Sequence, residues 1–292
     1  MKTICLKKIV CIGFIIFILP ALAIAADQLF LLRYVPSLRP QTDDLTKNTD
    51  MAEYKPIFGA GDKDAEKLNG IVRFGELSVH PGGASREVGY EAEEHIYFVI
   101  HGNGAIQYEG KSVPLKQNDF MYIPPGTKYR ITNDYSSTVR LLVAGYRIPG
   151  DAEVKPSQEV QIANSGDVEL QILGWHGPTS QFKLLMGTTE STRDKLAATS
   201  QMSSMFIMDF APHGTNIPHR HPKEEEIYYV LRGTGNMAAG LDIHGNVVRH
   251  PTQEGDAFYF AAGTEVGFYS GAKEGEEHPL ILALRSADPK KE

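Results

Sequence analysis

Part of this chain occurs twice, and the duplication restricts the fold more than any other feature. Residues 93–104 (Glu-Glu-His-Ile-Tyr-Phe-Val-Ile-His-Gly-Asn-Gly) align with residues 224–235 (Glu-Glu-Glu-Ile-Tyr-Tyr-Val-Leu-Arg-Gly-Thr-Gly) at an offset of 131, with seven of twelve positions identical. A second block, residues 118–131, aligns with residues 255–268 at an offset of 137 and shares Asp, Tyr, Gly and Thr. Two matched blocks in the same order indicate two copies of one structural unit. Further short runs of Val, Ile, Tyr and Phe occur at 120–123, 139–146, 205–210, 257–260 and 280–284, separated by Gly, Pro and Asn turns. That spacing predicts an all-β sandwich or barrel. No long segment repeats its apolar residues at the helical period. The best helix candidate, residues 189–200, is short and polar.

The first 25 residues differ in kind. Lys2, Lys7 and Lys8 precede an almost wholly apolar stretch, residues 9–25, which leaves through Ala23-Ile24-Ala25. The stretch is shorter than the roughly 20 residues a membrane span needs, and Pro20 interrupts it. The pattern is that of a signal peptide over residues 1–25, cut after Ala25. It predicts a periplasmic or secreted protein without a stable membrane anchor. Removing the three lysines takes the formal net charge from −7 to −10, an acidic excess that argues against nucleic acid as a partner. Both cysteines, Cys5 and Cys11, leave with the leader. The mature chain therefore has no disulfide, thiolate metal site or cysteine nucleophile.

The rest divides into an N-terminal arm (26–67), a first unit (68–148), a linker containing Pro149 and Pro156 (149–165), and a second unit (166–288). The chemistry concentrates in the second, at His219-Arg220-His221-Pro222-Lys223-Glu224-Glu225-Glu226. Residues two apart on a strand share a face, so His219 and His221 project together. Pro222 and Lys223 permit a turn, after which Glu226 opens the returning strand. Two imidazoles and one carboxylate with open positions suit iron(II), and also manganese, nickel or zinc. Surface histidines on an edge strand are the plainer alternative. Tyr228 shares the strand face of Glu226, and Trp175 and His176, ahead of Gly177-Pro178, are open to a role in a loop, in a subunit contact or in neither.

The second unit resembles a cupin. Gly214, His219, His221, Glu226 and Gly233 match the first cupin motif, Gly followed by His-x-His, Glu and Gly, with one residue too few after Gly214. Gly255 and Gly263 match the second motif, but Ala261 replaces its Pro and Val266 stands where the fourth ligand, a His, belongs. The first unit resembles the same fold with its ligands lost: His95 takes the Glu position, Val88 and Tyr90 the two His positions, and Tyr129 the last His. The resemblance implies two double-stranded β-helix (jelly-roll) barrels in one chain, a bicupin whose C-terminal barrel binds one divalent metal (Mn, Fe, Ni or Zn) through His219, His221 and Glu226. It also implies dimerisation through strand exchange at barrel edges. Oxalate decarboxylases and oxidases use three His and one Glu, which this pattern does not match. Ureidoglycine aminohydrolases are nearer in plan, with metal only in the C-terminal barrel, but differ in ligand spacing. Three functions stay open: a metalloenzyme (oxygenase, hydrolase or isomerase) acting on a small organic acid or sugar, a non-catalytic small-molecule or sugar-binding protein, and a structural or storage protein.

Overall fold

The computed structural model describes residues 29–290, Trp175 excepted; the expected signal peptide, residues 1–25, lies outside the described residues. Four sheets build two barrels. In the first, a six-stranded antiparallel sheet runs in the order Gln161–Asn164, Asp119–Ile123, Glu93–His101, Val139–Arg147, Ile71–Val79, Ala52–Gly59. It faces a four-stranded sheet of Gly83–Ala84, Tyr129–Asn133, Asn103–Tyr108 and Lys111–Lys116. In the second, a seven-stranded sheet runs Phe30–Tyr34, Asp256–Phe260, Glu224–Arg232, Leu280–Ala287, Met202–Phe210, Ser180–Thr188, Leu196–Thr199. Its companion holds Thr215–Arg220, Glu265–Ser270, Thr234–Leu241 and Val247–Gln253. The fold is all-β, as the duplicated pattern predicts.

The central strands are continuous apolar runs because both of their faces are buried. On Glu224–Arg232, Tyr228 and Val230 point into the second barrel while Ile227 and Tyr229 point out of it. On Glu93–His101, Tyr97 and Val99 point into the first barrel while Ile96 and Phe98 point out. The outward residues of both strands join one apolar layer between the barrels, with Phe74, Leu142, Met205, Ile207 and Leu282. Each fully buried side chain of this size contributes about 1.5–3 kcal/mol, so the two barrels form one continuous body. The paired glycines of the repeat, Gly102 and Gly233, have positive φ (77° and 83°), and a Cβ on either would meet backbone within 2.8 Å.

The edges of the large sheets are closed by exchange. Phe30–Tyr34 precedes the first barrel but pairs with Asp256–Phe260 of the second. Gln161–Asn164 precedes the second barrel but pairs with Asp119–Ile123 of the first. The two strands start 131 residues apart, at the offset of the repeat. Strand exchange thus occurs here between the halves of one chain. It covers edges that would otherwise present unpaired backbone groups.

Residues 189–200, the best helix candidate of the sequence, form no helix. Ser191 Oγ instead hydrogen-bonds Asp194 and accepts from the Arg193 and Asp194 N–H groups at 3.3 Å, a local turn that competes with helix. Beyond it, Leu196–Thr199 joins the sheet edge parallel to Ser180–Thr188.

Candidate metal centre

His219 is the penultimate residue of the strand Thr215–Arg220, where it lies opposite Val266 in the pairing with Glu265–Ser270. A register shift between Asn216 and His219 carries the chain past Pro218 and turns the imidazole inward. His219 Nδ1 donates to the Ile217 carbonyl at 2.9 Å, which leaves Nε2 with its lone pair toward the barrel, the usual way a ligating imidazole is oriented. His221 lies just beyond the strand, its carbonyl accepting from the Gly263 N–H at 2.8 Å. The two Nε2 atoms are 2.9 Å apart and the rings are nearly perpendicular. Arg220, between them, points away and pairs with Glu265 at 2.6 Å.

Glu226, 1% exposed, comes from the returning strand. Its Oε1 accepts from Arg285 Nη2 at 3.0 Å and from Nε at 3.3 Å. Its Oε2 accepts no hydrogen bond and lies 3.6 Å from His221 Nε2. Burial, helped by the Arg285 charge, pushes His221 down to about 3, so the imidazole is neutral and fit to ligate. Burial and the Glu226 charge push the Tyr228 hydroxyl well above its usual range.

The structure therefore brings the three expected residues together at one end of the second barrel. Donors on a common divalent ion at about 2.1 Å stand roughly 3 Å apart at right angles; the pairs seen here are 2.9 and 3.6 Å apart. Among the described residues no three His, Cys, Asp or Glu side chains are already closed around one point. The donor types, the neutral His221 imidazole and the Glu226 oxygen without a hydrogen bond nonetheless fit a divalent cation. Arg285 anchors the carboxylate from behind, as outer-sphere partners of metal ligands do.

Beside this cluster opens a cavity of about 220 Å³. His176, Arg193, Ser204 and Arg285 supply its polar lining, and Phe182 and Phe206 part of its apolar wall. A larger cleft of about 860 Å³ lies between the barrels and touches none of the three candidate ligands. Sequence reasoning missed Arg285. The repeat gave no signal for it, because its counterpart across the register is Gly145: in the first barrel Gly145 faces Arg73, in the second Arg285 faces Ser204. Each barrel keeps one arginine at this level, on opposite members of a strand pair.

The corresponding place in the first barrel is filled. His95, 1% exposed, has Nε2 3.1 Å from Glu93 and Nδ1 3.2 Å from the Tyr129 hydroxyl. That hydroxyl meets Tyr97 at 2.7 Å. Tyr90 stacks on His95 at 4.1 Å and Arg73 covers Tyr90 at 4.8 Å. Val88 bridges Tyr129, as His219 pairs with Val266 in the second barrel.

A cupin-domain family model matches this chain twice, over residues 75–145 and 206–278, one match in each barrel. The chain is a bicupin. Among curated proteins, the bicupin is 38% identical over 96 residues to a germin-like protein of Mesembryanthemum crystallinum, a match covering 29% of this chain and 41% of that one. The matched stretch is thus under half of that relative's length. Among solved structures it superposes on protein Ylba from E. coli with a TM-score of 0.67 at 18% identity, covering 92% and 95% of the two chains. It superposes on the Lactobacillus farciminis oxalate decarboxylase formate complex with a TM-score of 0.61 at 14% identity, covering 89% and 86%. At these identities the superpositions establish the shared fold. Among the described residues, no helix is long and apolar enough to cross a membrane.

Proposed function

We propose that this bicupin holds one divalent ion on His219, His221 and Glu226 and acts as a metalloenzyme on a small organic acid or sugar. The observation that carries the proposal is Glu226 Oε2, a buried carboxylate oxygen without a hydrogen bond, facing a neutral imidazole nitrogen at 3.6 Å. The carboxylate's charge is already paired with Arg285 through Oε1, but a buried oxygen left without a hydrogen bond costs roughly 1–3 kcal/mol, and a cation between Oε2 and His221 removes that cost. When bound, the ion would supply Lewis-acid polarisation or an open position for a small oxygen ligand.

The chain's own groups then do the sorting. Arg193 and Arg285 place positive charge on the cavity wall, Ser204 adds a hydroxyl, and Phe182 and Phe206 add apolar surface, the Arg285 guanidinium lying over the Phe206 ring at 5.5 Å. Such a lining favours a compact anionic or polyhydroxylated molecule. The fold's likeness to an oxalate decarboxylase solved with formate supports small acids as the first class to try. The reading includes export with loss of residues 1–25, so sequencing of the secreted protein begins at Ala26.

The test is turnover. Metal-reconstituted protein is incubated with a panel of small carboxylic acids and sugars, and consumption is followed by NMR. Consumption of one class, abolished by His221→Ala and by Glu226→Gln, is expected. Thermal stabilisation by a compound that is never consumed would instead make the protein a binding module.

A further inference from the structure

The second barrel lacks the fourth cupin ligand, because position 266 is Val. We propose that His176, delivered by the loop that enters this barrel, replaces it as the fourth metal ligand. The proposal rests on the metal reading above and adds to it a donor from outside both cupin motifs.

The loop is built to hold this residue in place. Its base is closed by a reciprocal pair of backbone bonds, Gln171 N–H to Phe182 O (2.9 Å) and Phe182 N–H to Gln171 O (2.8 Å). Inside that closure, the His176 N–H bonds back to the Leu173 carbonyl at 2.9 Å, and the Ser180 N–H to the Gly177 carbonyl at 3.1 Å. The two turns fold His176 back over the barrel mouth, where its half-buried ring packs on Phe182 with centroids 4.8 Å apart.

The ring geometry fits a shared ion. Two imidazoles bound through nitrogen at about 2.1 Å place their centroids roughly 4.5–6 Å apart for angles between about 90° and 130° at the metal. His219 and His221 are 4.7 Å apart by this measure, and His176 and His219 are 5.8 Å apart at 72°. The third imidazole thus stands at ligating range on the cavity side of His219, where it lines the cavity with Arg285. Glu224, the other nearby acid, faces the wrong nitrogen: its Oε2 lies 3.7 Å from His221 Nδ1 and its Oε1 accepts from Ser203. Fully buried Val266, opposite His219, offers no donor.

The test uses the full mature chain and Cu(II) as the probe ion. Pulsed electron paramagnetic resonance counts coordinated imidazoles, and chelator competition gives the affinity. Wild type should show three imidazoles. His176→Ala and His176→Gln should show two and bind on the order of tenfold or more weakly, with the apo thermal midpoint and circular dichroism little changed. Adding Val266→His to His176→Ala should restore the third imidazole and the affinity. Equal imidazole counts and affinities in wild type and both His176 variants would overturn the proposal while leaving the metal site standing. Failure of wild type to take up any ion would overturn the metal reading itself, and His176 ligation with it.

Discussion

Glu94 of the first barrel and Glu225 of the second each accept backbone hydrogen bonds from the opposite barrel, at positions related by the repeat. Glu94 receives the N–H groups of Ser200, Gln201 and Met202 at 2.7–3.0 Å. Glu225 receives those of Asn69 and Gly70 at 2.8 and 2.7 Å, together with the Tyr259 hydroxyl. Asn69 and Ser200 are themselves 131 residues apart. The two carboxylates, both fully buried, fasten the chain where it enters a barrel strand. The interface between the barrels therefore has an internal two-fold character, like a homodimer joined into one chain.

These clamps should be worth measuring singly. Hydrogen bonds to a charged group contribute roughly 1.5–3 kcal/mol each, and their loss strands buried N–H donors. Glu94→Ala and Glu225→Ala should each lower the free energy of urea unfolding by about 3 kcal/mol or more. Losses under about 1 kcal/mol in both would show that the apolar layer alone holds the barrels together.

The exchanged strands make a second prediction. Removing residues up to 35 leaves Asp256–Phe260 as an open edge beside Leu32 and Tyr34's former positions, and such an edge recruits another chain. The truncated protein should self-associate in size-exclusion chromatography at concentrations where the mature chain does not. Identical elution of the two would mean that the edge is protected by something else.

In the first barrel, the chain of hydrogen bonds from Glu93 through His95 and Tyr129 to Tyr97 occupies the place of a metal site. His95→Leu should cost stability, about 1–3 kcal/mol for the partners left unsatisfied, and should leave the metal content of the protein unchanged. A fall in bound metal, with the fold intact, would contradict the assignment of the ion to the second barrel.

Arg285 acts on the proposed site through Glu226. Arg285→Gln removes the ion pair that orients the carboxylate, and changes of this kind typically weaken metal binding 10–100-fold. Isothermal titration with Mn(II) or Zn(II) should show that loss. An unchanged affinity would mean that Glu226 is oriented without Arg285.

The sequence carried the β class, the doubling and the grouping of His219, His221 and Glu226, because each of these is local. Alternation and turns mark strands, the repeat marks copies, and two histidines next to a turn and a strand must meet. Pairings between distant segments left no such mark. Phe30–Tyr34 is five residues long, and nothing in it says that it joins the barrel farther along the chain. Arg285 was hidden because the two barrels draw their interior arginine from different strands, so comparison of the repeats sets it against a glycine. The polar stretch 189–200 was the best helix candidate in an all-β pattern, and the Ser191 turn and the nearby sheet edge prevailed over a weak propensity.

The central claim is that one divalent ion resides in the second barrel, and elemental analysis tests it most directly. Mature protein is stripped of metal, reconstituted with Mn(II), Fe(II), Ni(II) or Zn(II), desalted, and measured beside His221→Ala and His95→Leu. One ion per chain is predicted in wild type and in His95→Leu, and none in His221→Ala. Wild type retaining no stoichiometric metal, or His221→Ala retaining as much as wild type, would contradict the account.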